Sequence, residues 1–289
     1  PILESDDLVH WYFKNAAFAS LGKPSWGTIG ANVWAPDVVQ IGDTFVMYYA
    51  LSTWGDPDPG IGIATAEHPL GPWTDQGKLF TSTEIGVNNS IDPAVFRGQD
   101  GKLYMIWGSF RGLYGVELTD DGLALQGGLE YARDNKTLVA GLDTSQAFNL
   151  ATYEAPYIVY KDGYYYLFVS SGSCCEGKSS TYHVRVGRSE NPLGPYYDDQ
   201  GRDMKGENRG AIVVQASEDF VGVGHNAVIQ DDAGNWYILY HGYDTQEYET
   251  LGNTNRRSLL IDRLDWSGDF PETEGKVAGR SGMPVPVIR

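Results

Sequence analysis

The sequence predicts an all-β protein, a five-bladed β-propeller whose first blade is incomplete at the N-terminus. Three observations carry that prediction. A strand, turn, strand pattern that starts beside an ionisable side chain occurs four times. Each copy is followed by a second apolar run in matching phase, so that strands in fours fill units of about 60 residues, the content of a propeller blade. The chain also opens on a segment that matches the second half of such a unit and not the first.

Taken in order, residues 1–11 supply that second half. The inner hairpin of the first blade is therefore expected either to be missing ahead of Pro1 or to be replaced by another segment, with residues 281–289 as one candidate. The next unit runs from Trp34-Ala35-Pro36-Asp37-Val38-Val39 to Met47-Tyr48-Tyr49, with residues 61–66 as its following run. Ile91-Asp92-Pro93-Ala94-Val95-Phe96 leads to Tyr104-Met105-Ile106-Trp107, followed by residues 113–118. Tyr153-Glu154-Ala155-Pro156-Tyr157-Ile158-Val159 leads through Asp162-Gly163, a strong two-residue hairpin turn, to residues 164–169 and then 183–189. Gly224-His225-Asn226-Ala227-Val228-Ile229 leads to Trp236-Tyr237-Ile238-Leu239-Tyr240 and residues 258–264. Aligned on Pro36, Pro93, Pro156 and Asn226, successive copies lie 57, 63 and 70 residues apart. Residues 54–60 and 171–178 read as loops over one end of the propeller, and 120–149 as a longer surface excursion.

No Pro/Ser linker or low-complexity block divides the chain, so residues 1–289 are expected to form one domain. With 38 acidic against 21 basic residues the net charge is −17, which disfavours nucleic acid and anionic membrane as partners and suits a neutral ligand. No apolar stretch reaches the ~18 residues of a membrane span. The adjacent Cys174 and Cys175 fit neither a disulfide framework nor zinc spacing, and they read as structural rather than nucleophilic.

In a propeller the innermost strand of each blade lines the central channel, so residues at one phase of the repeat converge. The positions just before the aligned Pro or Asn carry Asp92, Glu154 and His225, with Asp37 just after Pro36. Convergent carboxyls suit glycosidic cleavage, which needs one protonated acid for the leaving oxygen and one ionised partner for water or the anomeric carbon. Like charges raise one another's pKa and keep one carboxyl protonated near neutrality.

These residues resemble glycoside hydrolase family 43. The resemblance rests on Trp34-Ala35-Pro36-Asp37, Ile91-Asp92-Pro93, Tyr153-Glu154-Ala155-Pro156, Gly224-His225-Asn226 and Arg256-Arg257-Ser258-Leu259-Leu260-Ile261, and covers about residues 1–270. Trp107-Gly108-Ser109-Phe110 and the segment from Cys174 to Tyr182 resemble its arabinan-cleaving members in particular. It implies hydrolysis of α-1,5-linked L-arabinan or arabino-oligosaccharides with inversion, Glu154 as general acid, Asp92 as the residue that orients it and holds up its pKa, and His225 beside a hydrated calcium ion. The base it implies is an aspartate on the first blade's inner strand, the strand expected ahead of Pro1. Candidate substrate contacts are Asp37, Trp54, Asn89, Ser109, Phe110 and Arg257. A secreted or periplasmic location follows, or a cytoplasmic one for an enzyme acting on imported oligosaccharides.

Each reading has a plainer counterpart. Glu154 could be a strand-end carboxylate, Asp92 an Asp-Pro turn, His225 a core histidine, and Asp37 a structural group. Trp54 and Phe110 suit packing as well as sugar stacking, and Arg257 could pair with any surface acid. The alternatives at the level of function are a carbohydrate-binding propeller without catalysis, for want of the base, and a β-xylosidase or α-L-arabinofuranosidase of the same family.

Overall fold

The second strand of each repeat is an unbroken apolar run, such as Val46-Met47-Tyr48-Tyr49-Ala50 or Tyr165-Tyr166-Leu167-Phe168-Val169, and such a run needs cover on both faces. A ring of face-packed sheets supplies it. The computed structural model describes residues 1–18, 22–143, 153–247, 250–251, 254–279 and 283–288.

Strands β1 (Ile2–Glu4) and β2 (Tyr12–Asn15) form a two-stranded antiparallel pair. Strands β3 (Asn32–Ile41), β4 (Thr44–Ser52), β5 (Gly60–Ala66) and β6 (Thr74–Thr81) make the first four-stranded meander. A short helix, α1 (Ser82–Ile85), leads to the second, built from β7 (Ala94–Arg97), β8 (Leu103–Trp107), β9 (Gly112–Leu118) and β10 (Thr137–Gly141), with helix α2 (Gly128–Asn135) before its last strand. The third holds β11 (Tyr153–Lys161), β12 (Tyr164–Ser171), β13 (His183–Ser189) and β14 (Ala211–Val214). The fourth joins β15 (Phe220–Gln230), β16 (Trp236–Asp244) and β19 (Ser258–Leu264), while β17 (Thr250–Leu251) pairs with β18 (Thr254–Asn255). Inner strands β3, β7, β11 and β15 neighbour one another in that order, which is the arrangement of a β-propeller.

Period-two alternation divides the middle strands β4, β8 and β12 between two cores. On β12, Leu167 and Val169 pack with Ile106 and Val139 of the second sheet, while Tyr166 and Phe168 pack with Val228 and Ile238 of the fourth. On β4, Val46 and Tyr48 join Met105 and Trp107, and Met47, Tyr49 and Leu51 lie toward Ile2 and Phe18 of the N-terminal segment. A one-residue slip would exchange those sets, so the register is tightly specified. The β11–β12 turn places both Asp162 (φ 50°) and Gly163 (φ 90°) in the left-handed region, as a type I′ Asp-Gly turn requires.

Three expectations need correction. The fourth sheet has three paired strands rather than four; at its edge the Arg263 N–H donates to Met283 Sδ at 3.2 Å. Residues 128–141 of the expected surface excursion are α2 and the edge strand β10, and residues 144–149 lie outside the described residues. The tail over 283–288 does not enter the channel. It caps the turn between β15 and β16, where the Asp232 N–H donates to the Val287 carbonyl and the Val287 N–H to Asp231 Oδ2. That turn offers unpaired backbone groups, which the tail satisfies.

Candidate active site

The site is built from one irregularity repeated around the channel. At the repeat phase, Ala35, Asp92, Ala155 and His225 all have positive φ, at 40°, 57°, 50° and 54°. Three of these fall within interruptions of the strand pairing, between Trp34 and Asp37, Glu154 and Tyr157, and Gly224 and Ala227. The following proline in three of the copies cannot donate to the ladder, so the chain bulges there. A non-glycine residue in this region costs about 1–3 kcal/mol, and four such residues at one phase form a deliberate device. The bulge turns the side chains beside it toward one mouth of the channel.

At that mouth lies a cleft of about 800 Å³ lined by Glu154, Asp92 and His225. Trp54, Asn89, Ser109, Phe110 and Arg257 line it too, so all the candidate residues but one are brought together. The exception is Asp37. It lines a second, smaller cavity of about 370 Å³ further along the channel, and its Oδ2 accepts a hydrogen bond from the Val95 N–H at 2.6 Å. Asp92 and His225 line both spaces.

Glu154 lines the cleft, is itself buried, and is held by two hydroxyls. Ser109 Oγ donates to its Oε2 at 2.8 Å and the Tyr182 hydroxyl to its Oε1 at 2.6 Å. Burial and then the neighbouring Asp92 charge push its pKa up, opposed by those two hydrogen bonds and by His225. Asp92 Oδ2 accepts from the Ala155 N–H at 3.1 Å, which ties the carboxyl to the residue next to Glu154. Burial raises the Asp92 carboxyl to about 7. Two neighbouring carboxyls that resist ionisation keep a proton between them near neutrality. The His225 backbone N–H donates to Ser170 Oγ at 2.8 Å, and burial lowers the imidazole pKa.

Sequence reasoning missed Tyr182 as a partner of the acid, because one tyrosine among 19 carries no mark of it. Its position at the end of the segment that starts at Cys174 was the available signal. Ser109, expected as a substrate contact, has its hydroxyl directed to Glu154 instead. The adjacent cysteines, which fitted no disulfide framework, are bonded to each other. A bridge between neighbours staples no loop, so spacing rules do not reveal it.

Tyr182 reaches Glu154 because residue 224 has no side chain. A Cβ there would lie 2.3 and 2.4 Å from two Tyr182 ring carbons and 3.1 Å from Ser170 Oγ. Gly224→Ala is therefore expected to lower stability by about 1–3 kcal/mol, measured by urea unfolding. With Tyr182 displaced, a hydrogen bond that favours the ionised acid weakens, so the alkaline limb of the activity profile should move to higher pH.

The cavity beneath the cleft bears on a metal. Among the described residues no three His, Cys, Asp or Glu side chains come together as a ligand set. The Asn226 amide and His241 Nδ1 are nonetheless buried without a protein partner, and both residues line the cavity beside Asp37, Asp92 and His225. Such a lining fits a cation that keeps its water shell, and does not fit a dry, fully protein-ligated one.

A propeller that brings two carboxyls sharing a proton into an open cleft, which the 76% exposed Trp54 also lines, has the construction of a glycoside hydrolase. The chain belongs to glycosyl hydrolases family 43, which it matches over residues 1–271. It is 33% identical to the extracellular exo-α-(1→5)-L-arabinofuranosidase of Cellvibrio japonicus, over 95% of this chain and 80% of the relative. To the extracellular endo-α-(1→5)-L-arabinanase 1 of Bacillus subtilis it is 31% identical, over 93% and 78%. Among solved structures it is similar to the α-L-arabinanase of Cellvibrio cellulosa complexed with arabinohexaose, with a TM-score of 0.81 and 31% identity over 95% of this chain and 88% of the other.

Proposed function

We propose that this glycoside hydrolase cleaves α-1,5-linked L-arabinan or arabino-oligosaccharides with inversion, using Glu154 as general acid. The observation that carries the proposal is the environment of Glu154, buried, raised in pKa by burial and by Asp92, and oriented by Ser109 and Tyr182 in a cleft large enough for several sugar units. The names of the relatives supply the substrate class, and one solved relative is complexed with arabinohexaose. Asp92 acts as a positioning residue, holding the proton on Glu154 through its charge. None of the described residues is assigned the base's role. Asp37 is not offered for it, because its carboxyl faces the lower cavity and accepts from Val95.

In this reading 1–289 is one five-bladed propeller domain, with β1 and β2 as the outer pair of a fifth blade. Trp11, which precedes β2, lines the lower cavity together with Leu239 and Leu259 of the fourth sheet. A hydrated calcium ion is proposed for that cavity, held by His225; when bound it would add positive charge beneath the carboxyls. Secretion is proposed from the extracellular relatives.

The test is incubation with linear α-1,5-arabinan, following product size by chromatography and the first-formed anomer by NMR. Inverted arabinose or arabino-oligosaccharides are expected. Release of xylose from aryl β-xylosides with none from arabinan would move the protein to another branch of the family.

A further inference from the structure

The apolar surface of the cleft includes the aromatic side chains of Trp34, Trp54 and Phe110 and one feature that neither catalysis nor folding accounts for, the Cys174–Cys175 disulfide. A bond between neighbouring residues closes no length of chain, so it restricts the unfolded state very little. It does close a small ring with the peptide between the two cysteines. That ring presents two polarisable sulfurs and two methylenes, with no hydrogen-bond donor among them.

Both cysteines are half-exposed and line the same cleft as Glu154. The disulfide is also held in place from behind. Arg257 Nη2 donates to Cys175 Sγ at 3.2 Å, Arg257 Nε donates to the Tyr243 hydroxyl at 2.9 Å, and that hydroxyl donates to the Cys174 carbonyl at 3.2 Å. The guanidinium lies 5.5 Å from the centre of the Tyr243 ring. Arg257, expected from the sequence to touch substrate, thus has an additional task in fixing this surface. A half-exposed, tethered pair of sulfurs and methylenes with no donor of its own, in a sugar-sized cleft, suits the C–H face of a saccharide for the reason that an aromatic ring does.

We propose that the Cys174–Cys175 disulfide is a substrate-positioning surface, on which one arabinofuranose ring of the oligosaccharide packs while the scissile bond lies at Glu154. This rests on the reading of the cleft as an arabino-oligosaccharide site. The rival account of the disulfide is purely structural. The loop it sits in continues to Tyr182, so a loosened loop would disturb the acid rather than the sugar.

The test uses the whole protein with linear α-1,5-arabinohexaose as the probe, in three states: oxidised, reduced with a phosphine, and reoxidised. The phosphine supplies two electrons to the S–S bond and water supplies the oxygen and two protons, giving two thiols and the phosphine oxide. Calorimetry is expected to show about tenfold weaker binding on reduction, or about 1.4 kcal/mol, recovered on reoxidation. KM should rise in parallel, with kcat and the alkaline limb unchanged, and Cys174→Ser combined with Cys175→Ser should match the reduced protein. Unchanged affinity on reduction overturns the proposal, as does a change in kcat and the alkaline limb without one in KM. No binding to the oxidised protein overturns both this proposal and the substrate reading. Binding without hydrolysis overturns the catalytic reading alone and leaves the platform standing.

Discussion

Glu154→Gln is expected to lower kcat on linear arabino-oligosaccharides by about 10³-fold, within the range that general acid catalysis contributes. The substitution keeps shape and hydrogen bonding. Tyr182 can still donate to the amide oxygen, and the Ser109 hydroxyl can turn to accept from the new NH₂. Binding should therefore persist, with kcat and kcat/KM falling together, because only the transition state loses its proton donor. The alkaline limb of the pH profile, which reports ionisation of the acid, should vanish from whatever activity remains. Steady-state kinetics across pH checks this, and release of arabino-oligosaccharides at the native rate would remove Glu154 from the mechanism.

Asp92→Asn should cost about 100-fold in kcat/KM at neutral pH and move the alkaline limb to lower pH. After burial, the Asp92 charge is the next largest influence holding the Glu154 pKa up. Without that charge Glu154 ionises earlier, and less of the protein carries the working proton. The same change is expected to stabilise the fold. A carboxyl whose folded pKa, about 7, exceeds its ordinary 3.8 favours the folded state at low pH and withdraws that support as pH rises between the two values. Asparagine removes the penalty while its amide oxygen can still accept from the Ala155 N–H. A variant that melts higher than the native protein at pH 8 while losing most of its activity is the expected result. Unchanged pH dependence would show that Asp92 does not act through Glu154.

The repeat was legible because period-two alternation and the Pro-centred phase survive in the sequence even where individual residues differ. The phase brought Asp92, Glu154 and His225 together without any coordinates. It misjudged Asp37, since residues on either side of a bulge face different ways and the sequence does not mark on which side the chain turns. The three-stranded fourth sheet was equally hidden. Residues 273–278 return to the edge of β14, where the Thr273 N–H bonds the Val213 carbonyl and the Gln215 N–H bonds the Lys276 carbonyl, a pairing between segments some 60 residues apart.

Arg257 shows the same limit at the scale of one side chain. Its place in a motif marked it as functional, but its hydrogen bonds to Tyr243 and Cys175 join segments 14 and 82 residues away. By itself the sequence determined that this protein is a propeller, which strands line the channel and which acids meet there, because those properties follow from local periodicity and repeat phase. Only the tertiary structure decided that Tyr182 and Ser109 hold the acid, that Asp37 faces the lower cavity, and that two neighbouring cysteines form part of the cleft wall. Those outcomes depend on close packing between strands distant in sequence, where a missing Cβ at Gly224 or a positive φ at Asp92 sets what a side chain can reach.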